Sequence, residues 1–412
     1  RDVERSRGLG DVYKRQVKVG EEFVRTEVQF IPAKLKVIDH YRETYECRSC
    51  RKNGTPYMEK APVPYPPVLH SLASASTITW LIHQKFELSI PLYRQEKEWE
   101  ALGLRLSRAT MSNWLLVVYR DWLVHIVHRL KLELLKQRYL HIDETHVQVL
   151  KEPGRKNTSD SYMWVYCSIR DAVNPIRYFE YQPGRSGKYP EAFLREYEGY
   201  IHTDAYSGYN AVSGVKRCLC YTHLRRAFVD ALPKDIHNSE ASKPAEAILR
   251  LNQLFNIESE LEALPPDQKK KERLIREKPL LEAFWSWAEK SAIGELPKSK
   301  LSKAFHYALN NREGFWNYLE DGNCSISNSL AENCIRPFVI GRKNWLFSGS
   351  PKGAEASAGI YTLVETAKAN GLAPMKYIKY ILSDMPGSAF LEHPEYLDDH
   401  LPWNPLVKEF CR

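Results

Sequence analysis

The 412-residue sequence predicts a mixed α/β protein, and three observations carry that expectation. Three strand-like runs rich in β-branched and aromatic residues follow one another, at Tyr139–Leu150, Tyr162–Arg170 and Ile176–Tyr181. Two further strand-like runs, Gly199–Thr203 and Cys218–Tyr221, alternate with helical segments at Tyr189–Tyr197 and Leu224–Ala231. An acid, Asp143, stands within the first run where a buried strand prefers an apolar residue, and a second, Asp204, stands at the end of the fourth. A carboxylate there is costly unless something positive compensates it, and a bound metal ion would.

Composition sets the frame for these elements. The chain is long enough for two or three domains, with 43% hydrophobic and 27% charged residues, ordinary values for a globular protein. A net charge of +8 tilts toward a polyanionic partner. The longest apolar runs, such as Trp114–Tyr119, are far too short to span a bilayer, so no membrane association is expected. Eight cysteines in a chain of this size do not form a disulfide-dense pattern, which predicts a reducing, cytoplasmic setting. The first residue is Arg rather than Met, so the sequence reads as a fragment. Its opening stretch, RDVERSRGLGDVYKRQ, has no hydrophobic period and reads as disordered or foreign to the native protein.

Along the chain, Val17–Arg51 alternates apolar and polar residues and predicts short strands ending in YECRSC. Cys47 and Cys50 make a C-x-x-C pair, which reads either as half of a structural zinc site or as two free thiols. Lys60–Pro67 is proline-rich and predicts an extended linker. Ser71–Phe86 and Pro91–Leu102 have helical periodicity, and Ser107 is a good N-cap for a long helix from Arg108 toward Lys136. The tight GLRLS turn between the last two makes the pair either a helix-turn-helix or an ordinary helical hairpin. In the first case Arg108, Thr110, Ser112 and Asn113 lie at the start of the recognition helix.

From Tyr139 onward the order is three hairpin-linked strands, a helix, a strand, then strand and helix again, which is the order of the ribonuclease H fold. Asn238–Arg312, rich in Leu, Glu and Lys, predicts a helical insertion, with charge runs such as KKKER forming a solvated face. Ile326–Arg336 predicts a helix that stops before Pro337. Val339–Tyr361, rich in Gly and Ser, reads as a loop, Ala354–Ala369 as a helix ended by Gly371, and Pro374–Met385 as another helix.

In such a sheet Asp143 and Asp204 would reach one cleft, and Glu332 would approach it from a helix. Three oxygen donors suit Mg²⁺, and two such ions about 3.5–4 Å apart stabilise both the attacking and leaving oxygens of an in-line phosphoryl transfer. Glu144 is a rival for Asp143 that spacing leaves open. Arg336, one turn after Glu332, would hold that carboxylate or contact a phosphate. His223, Arg225 and Arg226 begin a helix, a place that favours phosphate binding, and His223 reads equally well as a hydrogen-bonded core histidine. Cys220-x-x-His223 resembles a metal pair, but no second pair lies close in sequence, and metal is discounted there. Arg342 and Lys343 open a stretch to Tyr380 with six basic and two acidic residues.

The segments HIDETHV, HTDAYSGY, YTHLRRAF and NSLAENCIRPFVIGRKNWLFSGSPKGAEASAGIYTLVETAKANGLAP resemble transposases of the insertion-sequence-66 family. The resemblance runs from about Val17 to Ile381 and is densest from Asn328 to Pro374. It implies a DDE transposase with a ribonuclease H-like core that acts with Mg²⁺ on the ends of its own mobile element, with Asp143, Asp204 and Glu332 as the catalytic, metal-holding triad. Family members carry a zinc-finger-like N-terminal domain with two cysteine pairs, of which this chain has Cys47 and Cys50. Its expected layout is therefore a zinc-finger-like domain over 1–60, a helix-turn-helix-like DNA-binding region over 68–137, the catalytic domain over 138–350 with the insertion at about 238–312, and a C-terminal helical element over 351–412. The expected partners are the terminal inverted repeats, target DNA, further copies of the chain and accessory proteins of the element. DNA contacts would fall to His223, Arg225, Arg226, Arg336, Arg342 and Lys343, with the protein cytoplasmic and nucleoid-associated when bound. The rival expectations are a catalytically inactive remnant that only binds DNA, and a general ribonuclease H-like nuclease that never joins strands.

Overall fold

The computed structural model describes residues 20, 22–31, 33–55, 57–233 and 242–412, so the expectations for residues 1–16 and for the start of the insertion lie outside the described residues. Two units divide the chain, Arg1–His40 and Tyr41–Arg412. The described residues of the first unit form neither helix nor strand, and all are exposed. This corrects the strands expected between Val17 and His40 for the described residues there; of the range to Arg51, Thr44–Glu46 is a strand. Phe23, Val24, Val28, Phe30 and Ile31 do alternate with polar residues, but they remain exposed, and alternation without a paired strand and a covered face does not make a sheet.

In the second unit, β1 (Thr44–Glu46) pairs antiparallel with β2 (Met58–Lys60), and the short α1 (Arg48–Lys52) lies between them. Helices α2 (Ala75–Ile82), α3 (Leu92–Ala101), α4 (Arg108–Val118) and α5 (Val124–Leu135) follow. The Ser107 hydroxyl accepts the Thr110 N–H at 3.1 Å, as expected for an N-cap. A π turn at Tyr119–Leu123 joins α4 to α5, so one rod runs from Arg108 to Leu135.

That rod leads into a mixed sheet of β3 (Tyr139–Val149), β4 (Asp160–Ser168), β5 (Arg177–Gln182), β6 (Gly199–Thr203) and β7 (Val215–Leu219), in the order β5-β4-β3-β6-β7. The first three form antiparallel hairpins, whereas β6 and β7 run parallel to β3. The short α6 (Lys188–Phe193) connects β5 to β6, and α7 (Tyr221–Asp230) leaves β7. The fifth strand therefore ends before Cys220, which caps α7.

The insertion is helical, as expected: α8 (Lys243–Glu260), α9 (Pro266–Ala292), α10 (Lys300–Asn310) and the short α11 (Arg312–Trp316). Leu251, Leu281, Phe284, Trp285 and Phe305 pack with Leu224 and Phe228 of α7 into a core of their own. The other core runs from α2–α5 through the sheet to the C-terminal helices.

Two expectations fail in the next stretch. Helix α12 (Ser329–Trp345) does not stop at Pro337 but runs through it, and the loop expected over Val339–Tyr361 is mostly helix. Ala331, Ile335, Phe338 and Gly341 share the buried face of α12, and that burial outweighs the roughly 3 kcal/mol that an interior proline costs a helix. Leu346, with φ 66°, turns the chain, and β8 (Phe347–Ser348) adds a parallel pairing at the far end of β3. Then α13 (Pro351–Ala369) begins, its Ser350 cap accepting the Gly353 N–H at 3.2 Å. Glycines in this stretch serve close packing rather than a loop: a Cβ on Gly359 would overlap the Tyr119 ring, and one on Gly341 would meet the Tyr361 hydroxyl. On the sheet's outer edge, Thr362 and Thr366 of α13 accept the Phe179 and Arg177 N–H groups of β5, at 2.8 and 3.1 Å. Helices α14 (Pro374–Asp384) and α15 (Pro405–Cys411) close the chain. Among the described residues no helix is long and apolar enough to cross a membrane.

Candidate active site

Parallel pairing aligns His141 with His202 at the end of the β3–β6 ladder; Asp143 lies two residues further along β3, and Asp204 is the first residue beyond β6. In a strand, residues two apart share a face, so Asp143 projects on the same side as His141. The histidine rings stack, with centroids 4.2 Å apart and planes 9° from parallel. The His-x-Asp pattern thus occurs twice, at 141–143 and 202–204, and it is the sequence signal by which these histidines could have been found.

Both rings are buried and tie down the segment that carries Glu332. His202 donates Nδ1–H to the Leu140 carbonyl at 3.1 Å, which leaves Nε2 to accept the Ser325 N–H at 2.9 Å. The Asn328 amide donates to the Ile142 carbonyl at 2.8 Å, so its oxygen accepts from His141 Nδ1 at 3.0 Å. Burial first, then His202, push the His141 pKa well below its usual value, so the ring is neutral. From this anchored Asn328, whose carbonyl accepts the Glu332 N–H at 3.3 Å, the first turn of α12 projects Glu332. An acid in a helix's first turn also suits the dipole.

Arg217 fixes the turn that follows β6. It donates to Thr203 Oγ1 at 2.7 Å and to the Asp204 and Tyr206 carbonyls at 2.6 and 2.8 Å, and Asp204 Oδ1 accepts the Tyr206 N–H at 3.0 Å. Glu144, the rival to Asp143, is committed elsewhere: it accepts from Arg185 at 2.6 Å and from the Tyr209 hydroxyl at 2.5 Å, with a side chain only 2% exposed. Arg185, which sequence reasoning missed, lies over the Tyr206 ring and reaches within 3.8 Å of Asp204 as well.

The Asp143 carboxyl is pushed up to about 7, by burial first and then by Glu144, with Asp204 and Glu332 adding to it. Cations in the cluster go to its other acids. Arg185 serves Glu144 and Asp204, while His223 and Arg226 lie 3.7 and 3.9 Å from Glu332, and none of the described residues forms an ion pair with Asp143. The structure thus brings the three acids into one electrostatic cluster. Their oxygens do not form one of the groups of potential ligands lying within 4.8 Å of one another; those are Cys220, His223 and Glu332, and His202, Cys218 and Cys324.

The expected DNA-contacting residues divide. Arg336 is exposed and is not a partner of Glu332, and Lys343 is exposed. Arg225 donates to Asn252 of the insertion at 2.7 Å. Arg342 donates to Thr145 Oγ1 at 2.9 Å and to the His146 carbonyl, fastening the C-terminal part of α12 to β3. At the other end of the chain, Cys47 stands at the N-cap position of α1 and Cys50 within the first turn of that helix, so the C-x-x-C pair spans one turn. None of the eight cysteines is in a disulfide.

The chain matches two family models. One, described as the transposase IS66 family, covers residues 70–356, and the other, described as the zinc-finger binding domain of transposase IS66, covers residues 14–51. It is also similar to uncharacterized proteins of Sinorhizobium fredii (strain NBRC 101917 / NGR234). Protein y4hP is 26% identical over 410 residues, spanning 94% of this chain and 71% of its own. Protein y4qI is 27% identical over 413 residues, spanning 94% and 72%.

Proposed function

Since the chain belongs to the transposase IS66 family, with a zinc-finger domain preceding the transposase domain, we propose that it cuts and joins DNA strands at the ends of an insertion sequence. In this reading the sheet is a ribonuclease H-like core, and Asp143, Asp204 and Glu332 are the catalytic acids. The single observation that carries the reading is Asp143: a half-buried carboxyl crowded by other acids, with no cation among the described residues to balance it. That imbalance, with an all-oxygen donor set, fits a hard divalent ion, and these three residues would hold Mg²⁺, two ions in the full complex. When bound, Mg²⁺ supplies charge neutralisation at the scissile phosphate and at the attacking and leaving oxygens.

The chain's own residues do the remainder. Asp143 must give up its proton to act, which takes place near neutral pH from a carboxyl held at about 7. Arg185 and Arg217 hold Asp204 and its turn in place, and the histidine stack with Asn328 holds the root of α12. No nucleophilic side chain is required, because water or a DNA 3′-hydroxyl attacks the phosphate. Exposed Arg226, Arg336 and Lys343 offer cations to the backbone on the same helices. Cys47 and Cys50 would contribute two thiolates to zinc in the end-recognition domain, which requires two more ligands. Inverted repeats and target DNA are the substrates, acted on by a multimer on paired ends in the bacterial cytoplasm, with accessory proteins of the element as further partners.

The test is Asp143→Asn with labelled element ends and Mg²⁺ or Mn²⁺. Loss of nicking with retained binding is expected, and full nicking by the variant would remove Asp143 from the mechanism. A second reading, a remnant that only binds DNA, is favoured by the open spacing of the acids. Binding without nicking by the unaltered protein would establish it.

A further inference from the structure

Cys220 and His223 are separated by one helical turn at the start of α7, and Glu332 faces them from the first turn of α12. Sequence spacing alone offers no third ligand near Cys220-x-x-His223; the fold supplies it from more than a hundred residues away. Cys220 Sγ, one ring nitrogen of His223 and one oxygen of Glu332 all lie within 4.8 Å of one another. His223 Nδ1 and Glu332 Oε1 are 3.7 Å apart, and both are buried with no hydrogen-bond partner among the described residues. Leaving such atoms unmatched is unfavourable, since neither water nor a protein group repays their desolvation.

A separation of 3.7 Å is too long for a hydrogen bond and close to the edge of a tetrahedron around one ion, ~3.4 Å for bonds of ~2.1 Å. The Cys220 sulfur is held in place by the Asn328 N–H, which it accepts at 3.1 Å; burial pushes its pKa up, so an ion binding there displaces the thiol proton. Arg226 lies by Glu332 Oε2, which leaves Oε1 for a ligand role. The other close group, His202 with Cys218 and Cys324, lacks this preparation, since both ring nitrogens of His202 are already hydrogen-bonded.

We propose that Cys220, His223 and Glu332 bind a thiophilic divalent cation of the Zn²⁺ class, with a fourth position open to water. A mixed sulfur, nitrogen and oxygen set selects such an ion over Mg²⁺. The binding site stands without the phosphoryl-transfer reading. Its consequence rests on that reading: an ion on Glu332 Oε1 withdraws the third acid and suppresses Mg²⁺-supported cleavage.

The experiment uses the full chain carrying Cys47→Ser and Cys50→Ser, with Co²⁺ as the probe. One Co²⁺ per chain should bind with a thiolate-to-metal absorption band, and Zn²⁺ should displace it. Cys220→Ser, which keeps an acceptor for the Asn328 N–H, should abolish the band at an unchanged melting temperature, and His223→Gln should weaken binding at least tenfold. Absence of the band in the parent, or its persistence in Cys220→Ser, overturns the site. In the same background Zn²⁺ should suppress Mg²⁺-dependent nicking, with the suppression relieved by Cys220→Ser; nicking indifferent to Zn²⁺ while the band is present overturns the coupling. If no protein nicks DNA even without Zn²⁺, the phosphoryl-transfer reading fails while the band still decides the metal site.

Discussion

Arg273 in α9 is a buried ionisable residue and Asp143 in β3 a half-buried one, and the fold treats them in opposite ways. Arg273 is fully buried, yet each of its five N–H groups has a partner: Glu258 twice, at 2.6 and 2.8 Å, and the carbonyls of Tyr318, Asp321 and Cys324 at 2.8–3.1 Å. Burial works against the Glu258 carboxylate, but Arg273 and Lys269 hold its pKa low. Neighbouring Glu277, pushed up to about 8 by burial and Glu258, keeps its proton at neutral pH and accepts the Tyr318 hydroxyl at 2.7 Å. Asp143 has three acids about it and no described cation of its own. A buried ionic group with every partner present is architecture; one that the chain leaves unbalanced is a place for something that arrives later.

The comparison breaks first at activity. Asp143→Asn should lower metal-dependent nicking by at least about a thousandfold, on the order of 4 kcal/mol in the barrier, with DNA affinity within a few fold. A similar loss of nicking from Glu277→Gln, without any loss of fold, would erase the distinction. Stability comes next. Arg273→Met strands Glu258 and three carbonyls and should cost about 3–5 kcal/mol, read as a lower midpoint in urea unfolding. Nicking should then fall only in step with the folded fraction.

The smaller effects lie in pH. An acid whose folded pKa is raised stabilises the fold most when protonated, and that stability is lost as pH rises from its unfolded pKa through its folded one. For Asp143 the window runs from about 4 to about 7, so without divalent ions the melting temperature should decline across it by a few degrees more than in Asp143→Asn. Mg²⁺ should restore the difference at pH 8, and failure to do so would contradict metal binding there. Glu277 obeys the same sign up to about 8, and Glu277→Gln should flatten that decline, but here Mg²⁺ should restore nothing. A decline near pH 8 that responds to Mg²⁺ in both cases would show that the two clusters do not differ in kind.

The sheet was legible in the sequence because its strands are bounded by polar loops, and Asp143 stood out as an acid inside one of them. Ser107 announced its helix for a local reason, a side chain capping its own turn. What failed was non-local. Pro337 and the glycines after it carry local signals for breaks, and the packing of Ile335, Phe338 and Gly359 against distant helices overrides them. The alternation around Phe23 and Phe30 erred in the other direction, since periodicity states a preference and cannot supply a partner strand. Of the site, the acids Asp143, Asp204 and Glu332 could be named in advance. Arg185, Arg217 and the approach of Glu332 to Cys220 could not, because these groups meet only through folding.

Helix α12 is fastened near both ends, by Asn328 at its root and by Arg342 on β3 toward its tail. A beam clamped in this way has little freedom to slide or swing. On the proposed reading, Glu332 reaches toward the aspartates by rotation about its own side-chain bonds, with little rearrangement of the backbone. The waiting and working forms of such a cleft would superimpose almost completely in their main chains.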